Sequence, residues 1–172
     1  MAKPLKGIRV LDMGTFITGP AAAMLLADLG AEVIKVEQPG TGDPFRAFDG
    51  DLYSPHFQTY NRNKKSIELN TKEPADLAKF DALVATADVF IQNFRPGVAE
   101  RLKVDAARLQ AINPRLVYAD ISGFGQEGPH KDRPVGEGQE WPNRSKAFAC
   151  STWALSSRAR ARRCCWRTSG PR

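Results

Sequence analysis

GIRVLDMGTFITGPAAAMLLADLGAEVIKVE, residues 7–37, is the stretch from which the fold is read. It opens with a short β-branched run, Gly7 to Met13, that stops at Gly14. A helical pattern follows in GPAAAMLLADLG, with Pro20 at its first helical position and Gly30 as its stop. AEVIKVE then sets Val33, Ile34 and Val36 among polar neighbours and runs into the turn cluster QPGTGDP. Strand, helix and strand in that order make a βαβ unit, because two parallel strands need a crossover and the helix supplies it.

The pattern continues outward. Phe45 to Lys65 is less regular, carrying Tyr53, Phe57 and Tyr60, and NRNKKS then leads into the short run SIEL. EPADLAKFDALVATA restores helical periodicity, with Pro74 in the first turn and Leu77, Phe80, Leu83 and Val84 on one apolar face. DVFIQN, residues 88–93, is a third clear strand. RPGVAERL and DAARLQAI are two short helices, with Asp105 the N-cap of the second and Pro114 its end. RLVYADISGFG is a fourth strand running into a glycine-rich loop. The predicted fold class is α/β: a parallel sheet with helices covering both faces.

The 172 residues make one domain's worth of chain, and 42% apolar residues are enough for a core. The net charge of +6 would point to a polyanionic partner, but it is confined to one end. Residues 1–135 hold 17 basic and 17 acidic residues, whereas residues 136–172 hold eight basic residues against Glu137 and Glu140. Every cysteine and tryptophan also lies beyond residue 135. Two compositions meet near Val135, dividing the chain into a body, 1–135, and a basic tail, 136–172, expected to be irregular and disordered. The N-terminus lacks the apolar core of about 7 to 15 residues that marks a signal peptide. No apolar run is long enough to cross a bilayer, so no membrane role and a cytoplasmic location are expected.

In parallel α/β sheets ligands collect beyond the carboxyl ends of the strands. GTFITGP lies there, just before a helix N-terminus suited to a phosphate. It is neither G-x-G-x-x-G nor a P-loop, and its glycines also fit a plain tight turn. Glu37 imitates the acid that holds a ribose, which admits a nicotinamide alternative. Lys64, Lys65, Lys72, Arg95 and Arg101 are candidates to neutralise a phosphorylated ligand, and Phe94 to stack on a ring. The plainer reading makes Lys64 and Lys65 solvated loop charges and Phe94 core. His56 and His130 have no metal-ligand spacing, so no metal is expected.

Four motifs in order, GIRVLDMGTFITGPAAAMLLADLGAEVIKVEQPGTGDPFR, NRNKKSIELN, ADVFIQNFRPGVAERL and INPRLVYADISGFGQEGPHKDRP, resemble the N-terminal part of the family III CoA-transferases. That group, also called CaiB/BaiF, includes formyl-CoA and carnitine CoA-transferases and α-methylacyl-CoA racemases. The resemblance spans about residues 5–135 and implies a Rossmann-like domain that binds coenzyme A. It implies CoA contacts at Ile17, Thr18, Gln38, Leu69, Lys72, Asn93, Phe94 and Arg101. It further implies a CoA thioester and a carboxylic acid as substrates, no cofactor beyond coenzyme A, and an interlocked homodimer in complete members, an assembly not expected of a truncated body. Formyl-CoA enzymes carry glutamine and arginine where this sequence has Ile17 and Gln38, which argues against formyl-CoA as substrate.

In such transferases an aspartate attacks the acyl-CoA thioester, and an enzyme-bound CoA thioester then passes to the acceptor acid. By the resemblance that aspartate belongs about 30 residues beyond GPHKDRP, yet Asp132 is the last aspartate in the sequence. Racemases use a His-Asp pair at positions that fall here on Gly136 and Glu137. No catalytic residue is therefore assigned, and a catalytically impaired fragment is expected. The alternatives are racemase-type epimerisation and a non-catalytic CoA-binding module. The arginine, cysteine and tryptophan content of SSRARARRCCW matches out-of-frame reading of a GC-rich gene, so a frame change near residues 134–140 is expected, to be tested by translating the neighbouring DNA in its other frames. As a competing reading, Arg158, Arg160, Arg162, Arg163 and Arg167 would contact nucleic acid phosphates, but the neutral body favours no nucleic acid partner. Cys164 and Cys165 are adjacent, which is not a C-x-x-C site.

Overall fold

The computed structural model describes residues 3–48, 54–131 and 133. Asp132, Gly136, Glu137 and the whole tail, with its arginines and cysteines, lie outside the described residues.

Among the described residues five strands, β1 (Arg9–Asp12), β2 (Glu32–Glu37), β3 (Lys64–Glu68), β4 (Val89–Gln92) and β5 (Val117–Asp120), form one sheet in the order β3-β2-β1-β4-β5. Every pairing is parallel, with Leu11 opposite Ile34 on one side and Phe90 on the other. The helices are α1 (Thr18–Asp28), α2 (Pro55–Asn61), α3 (Pro74–Ala85), α4 (Val98–Arg101) and α5 (Ala106–Ile112). Alternation along the inner strands feeds two cores. Val10, Val33, Ile91 and Ala119 pack on Ala23 and Ala27 of α1. Leu11, Val36, Phe90 and Tyr118 meet Phe80 and Val84 of α3 and Leu109 of α5 on the opposite face.

The expected fold class is observed, with differences in detail. α1 begins at Thr18, so Pro20 sits in the first turn rather than at its first residue; N–H groups throughout that turn lack intrahelical partners, so proline is tolerated there. The fifth strand, β3, runs along KKSIE at the sheet edge. The irregular stretch contains α2, whose seven residues bury Phe57 beneath the Arg46 guanidinium, 3.8 Å from the ring centre. Asp105 caps α5 by accepting from the Arg108 amide at 3.0 Å, as its position predicts.

Candidate functional site

The strand order reverses direction between β1 and β4, so the loops leaving those two strands diverge and open a crevice at the carboxyl edge. Asn93, immediately after β4, bridges it. Its Oδ1 accepts from the Thr15 amide at 2.8 Å, and its Nδ2 donates to Thr15 O and Thr18 Oγ1, both at 2.9 Å. α1 starts at the bottom of this crevice. Its N-cap, Ile17, offers no side-chain hydrogen bond to the first turn, and Phe16 before it is left-handed, at φ 59°. That conformation costs a non-glycine residue about 1–2 kcal/mol, so the surrounding structure must hold it.

Gly14 and Gly19 are required by space. A Cβ on either would stand 2.7 Å from the other's Cα, because the end of β1 and the first turn of α1 touch main chain to main chain. This accounts for the glycines without a dinucleotide fingerprint. Glu37 is likewise engaged elsewhere: Arg46 donates to both its oxygens at 2.7 Å, Ser66 Oγ donates at 2.6 Å and the Asp43 amide at 3.0 Å. Burial opposes the charge on Glu37, but these donors outweigh it and hold the carboxyl at about 2. A ribose would have to displace Arg46, which removes the basis for the nicotinamide alternative.

A cavity of about 230 Å³ lies beside the crevice, with Gln38, Leu69 and Phe94 in its wall along with Thr15, Lys35, Asp43 and Thr71. Lys72 follows Thr71 and is exposed. Arg101 ends α4, exposed, with Nε on Gly97 O at 3.3 Å. The eight residues implied by the resemblance therefore all lie on segments that leave the carboxyl ends of β1 to β4. Gln38, Leu69 and Phe94 share the cavity, Thr18 and Asn93 are joined directly, and Ile17 is 44% exposed at the crevice. His56 lies against Phe45 and Phe48, and His130 against Phe124.

Sequence reasoning missed the charges beneath this site. Lys64 is neither a loop charge nor a ligand cation: its side chain is buried and its Nζ reaches Asp12 Oδ2, Pro20 O and Asn61 Oδ1 at 2.8, 2.8 and 2.9 Å. Burial pushes its ammonium below the usual lysine range against the attraction of Asp12. Lys35 pairs with Asp43 at 2.9 Å and with Asp12 at 3.9 Å, forming with Lys64 a cluster of two cations and two anions. The available signal was Lys35 itself. A lysine in the middle of an inner strand covered on both faces has no route to water and needs a buried acid. Lys65, by contrast, is largely exposed and pairs with Glu32.

Comparison with known proteins places this geometry. The family model of CoA-transferase family III matches residues 5–138. The chain is 43% identical over 134 residues to succinyl-CoA–D-citramalate CoA-transferase of Chloroflexus aurantiacus, covering 76% of this chain and 33% of that protein. It is 47% identical over 135 residues to acetyl-CoA:oxalate CoA-transferase of Acetobacter aceti, covering 77% and 34%. Among solved structures, Rv3272 of Mycobacterium tuberculosis superposes with a TM-score of 0.72 at 42% identity, over 78% of this chain and 37% of that one. A CaiB/BaiF family protein of Brucella suis gives 0.72 at 37% identity, over 77% and 37%. The chain belongs to CoA-transferase family III, and it spans about a third of the length of the curated relatives it matches.

Proposed function

We propose that residues 1–135 are the coenzyme A binding body of an enzyme that moves CoA between an acyl-CoA and a carboxylic acid. The observation that carries this reading is that Ile17, Thr18, Gln38, Leu69, Lys72, Asn93, Phe94 and Arg101 all lie on segments leaving the carboxyl ends of β1 to β4, with Gln38, Leu69 and Phe94 in one cavity wall and Thr18 bonded to Asn93. Chemically the site suits a ligand with phosphates and a flat ring. Lys72 and Arg101 are exposed cations, α1 presents a first turn without a side-chain cap, and Phe94 offers an aromatic wall. Isothermal calorimetry with free CoA tests it. Saturable binding is expected, with Arg101→Ala weakening it about tenfold; no heat of binding at millimolar CoA overturns the reading.

Transfer through an aspartyl-CoA intermediate needs an aspartate beyond the GPHKDRP motif, and these 172 residues hold none after Asp132. The 172-residue chain is accordingly expected to bind CoA while transferring it weakly or not at all. Turnover of succinyl-CoA or acetyl-CoA with a dicarboxylate acceptor at about 1 per second or faster would refute the second part.

A further inference from the structure

We propose that Asp43 is a positioning residue for the ligand loop after β1, holding the Phe16 main chain left-handed and so setting how Ile17 and Thr18 are presented at the crevice. The inference rests on the CoA reading of that loop. Five successive main-chain polar groups there are each held by a side chain from elsewhere. The Gly14 amide donates to Asp12 Oδ1 at 2.8 Å, and Gly14 O accepts from Lys35 Nζ at 2.8 Å. Thr15 N and O both bond Asn93. The Phe16 amide donates to Asp43 Oδ1 at 3.2 Å.

These five groups are thus held by side chains, of which Asp12, Lys35 and Asp43 are buried and Asn93 half-buried, rather than by the loop's own backbone. Asp43 is the member that meets the strained residue. It is 2% exposed, the same Oδ1 accepts from the Phe45 amide at 2.9 Å, and Oδ2 pairs with Lys35. The Lys35 and Asp43 pair therefore grips the loop at Gly14 and again at Phe16, two residues apart, across the point where φ turns positive. Without the Asp43 oxygen the Phe16 amide loses its part-buried acceptor, and the left-handed turn loses its fixing contact.

The test uses the full chain and two readouts, amide hydrogen exchange and CoA calorimetry. In the parent the Phe16 amide is expected to exchange at least about a hundredfold slower than in an unstructured peptide; exchange at the unstructured rate overturns the proposal whether or not any variant folds. Asp43→Ala is expected to cost about tenfold in both Phe16 protection and CoA affinity. Asp43→Asn, which keeps an acceptor for the Phe16 amide but removes the charge paired with Lys35, should retain more Phe16 protection and CoA affinity than Asp43→Ala. Asn113→Ala is the reference for a merely structural loss: it removes bonds to Val84 O and Ala87 O ahead of β4, at the opposite sheet edge, and should leave both readouts unchanged. Equal protection of Phe16, or equal CoA affinity, in a folded Asp43→Ala chain overturns the proposal. If the parent itself binds no CoA, the function proposed above fails, while the exchange result still decides what Asp43 does to the loop.

Discussion

Glu37 keeps its charge with only 5% of its surface exposed, because Arg46 meets it with two hydrogen bonds and Ser66 and the Asp43 amide add two more. Its folded carboxyl titrates at about 2 against 4.5 unperturbed. The folded state therefore binds fewer protons than the unfolded one through this window, and stability falls as acid is added. Glu37 contributes fully above about pH 4.5 and loses that contribution as the pH drops towards 2. Glu37→Gln is expected to cost about 2–3 kcal/mol at pH 7 and to flatten the acid limb of a urea-melt pH series. An acid limb as steep in the variant as in the parent would show that other carboxylates cause it. At this scale the sequence was misleading in one direction: Lys64 and Glu37 look available for ligands, and both are spent on partners that sequence separation hides, 52 residues away for Lys64 and Asp12.

Elements were legible where they were long or inward-facing. The inner strands and α3 repeat their apolar residues often enough to declare a period, and the α3 stripe of Leu77, Phe80, Leu83 and Val84 is the one that packs. α2, at seven residues, is too short to show a period. β3 has Ile67 as its only large apolar residue and two lysines, a composition that suits an edge strand kept from pairing with other chains. At the junction of β1 with α1 the main chains touch at Gly14 and Gly19. Gly14→Ala or Gly19→Ala would place a methyl against backbone that has no rotamer to escape into. Each is expected to lower stability by about 1–3 kcal/mol in urea melts and to weaken CoA binding as the crevice loops separate. A Gly14→Ala chain of parental stability would mean that α1 can shift freely along the sheet.

For the molecule as a whole, the two cores are the main apolar contribution, and Phe90 is at the centre of the larger one. Its ring lies edge-on to Phe80 of α3 at 6.1 Å and 5.2 Å from Tyr118 of β5, and it is fully buried. Phe90→Ala is expected to cost about 3–5 kcal/mol, a large share of the roughly 5–15 kcal/mol typical of a domain. A fall in urea midpoint with aggregation on heating is the readout, and a midpoint within error of the parent would place the stability elsewhere. No helix among the described residues is long and apolar enough to cross a membrane.

The sequence by itself determined the βαβ order, the parallel α/β class, the family resemblance and the segments that leave the strand ends, because these follow from local periodicity, turn residues and motifs in register. Tertiary structure alone decided which charges are free. Lys35, Asp43, Lys64 and Asp12 are distant in the chain, and only closure of the sheet brings them to within 4 Å of one another in pairs. Once water is excluded there, each charge needs its partner, and the loop after β1 is hydrogen-bonded to Asp12, Lys35 and Asp43.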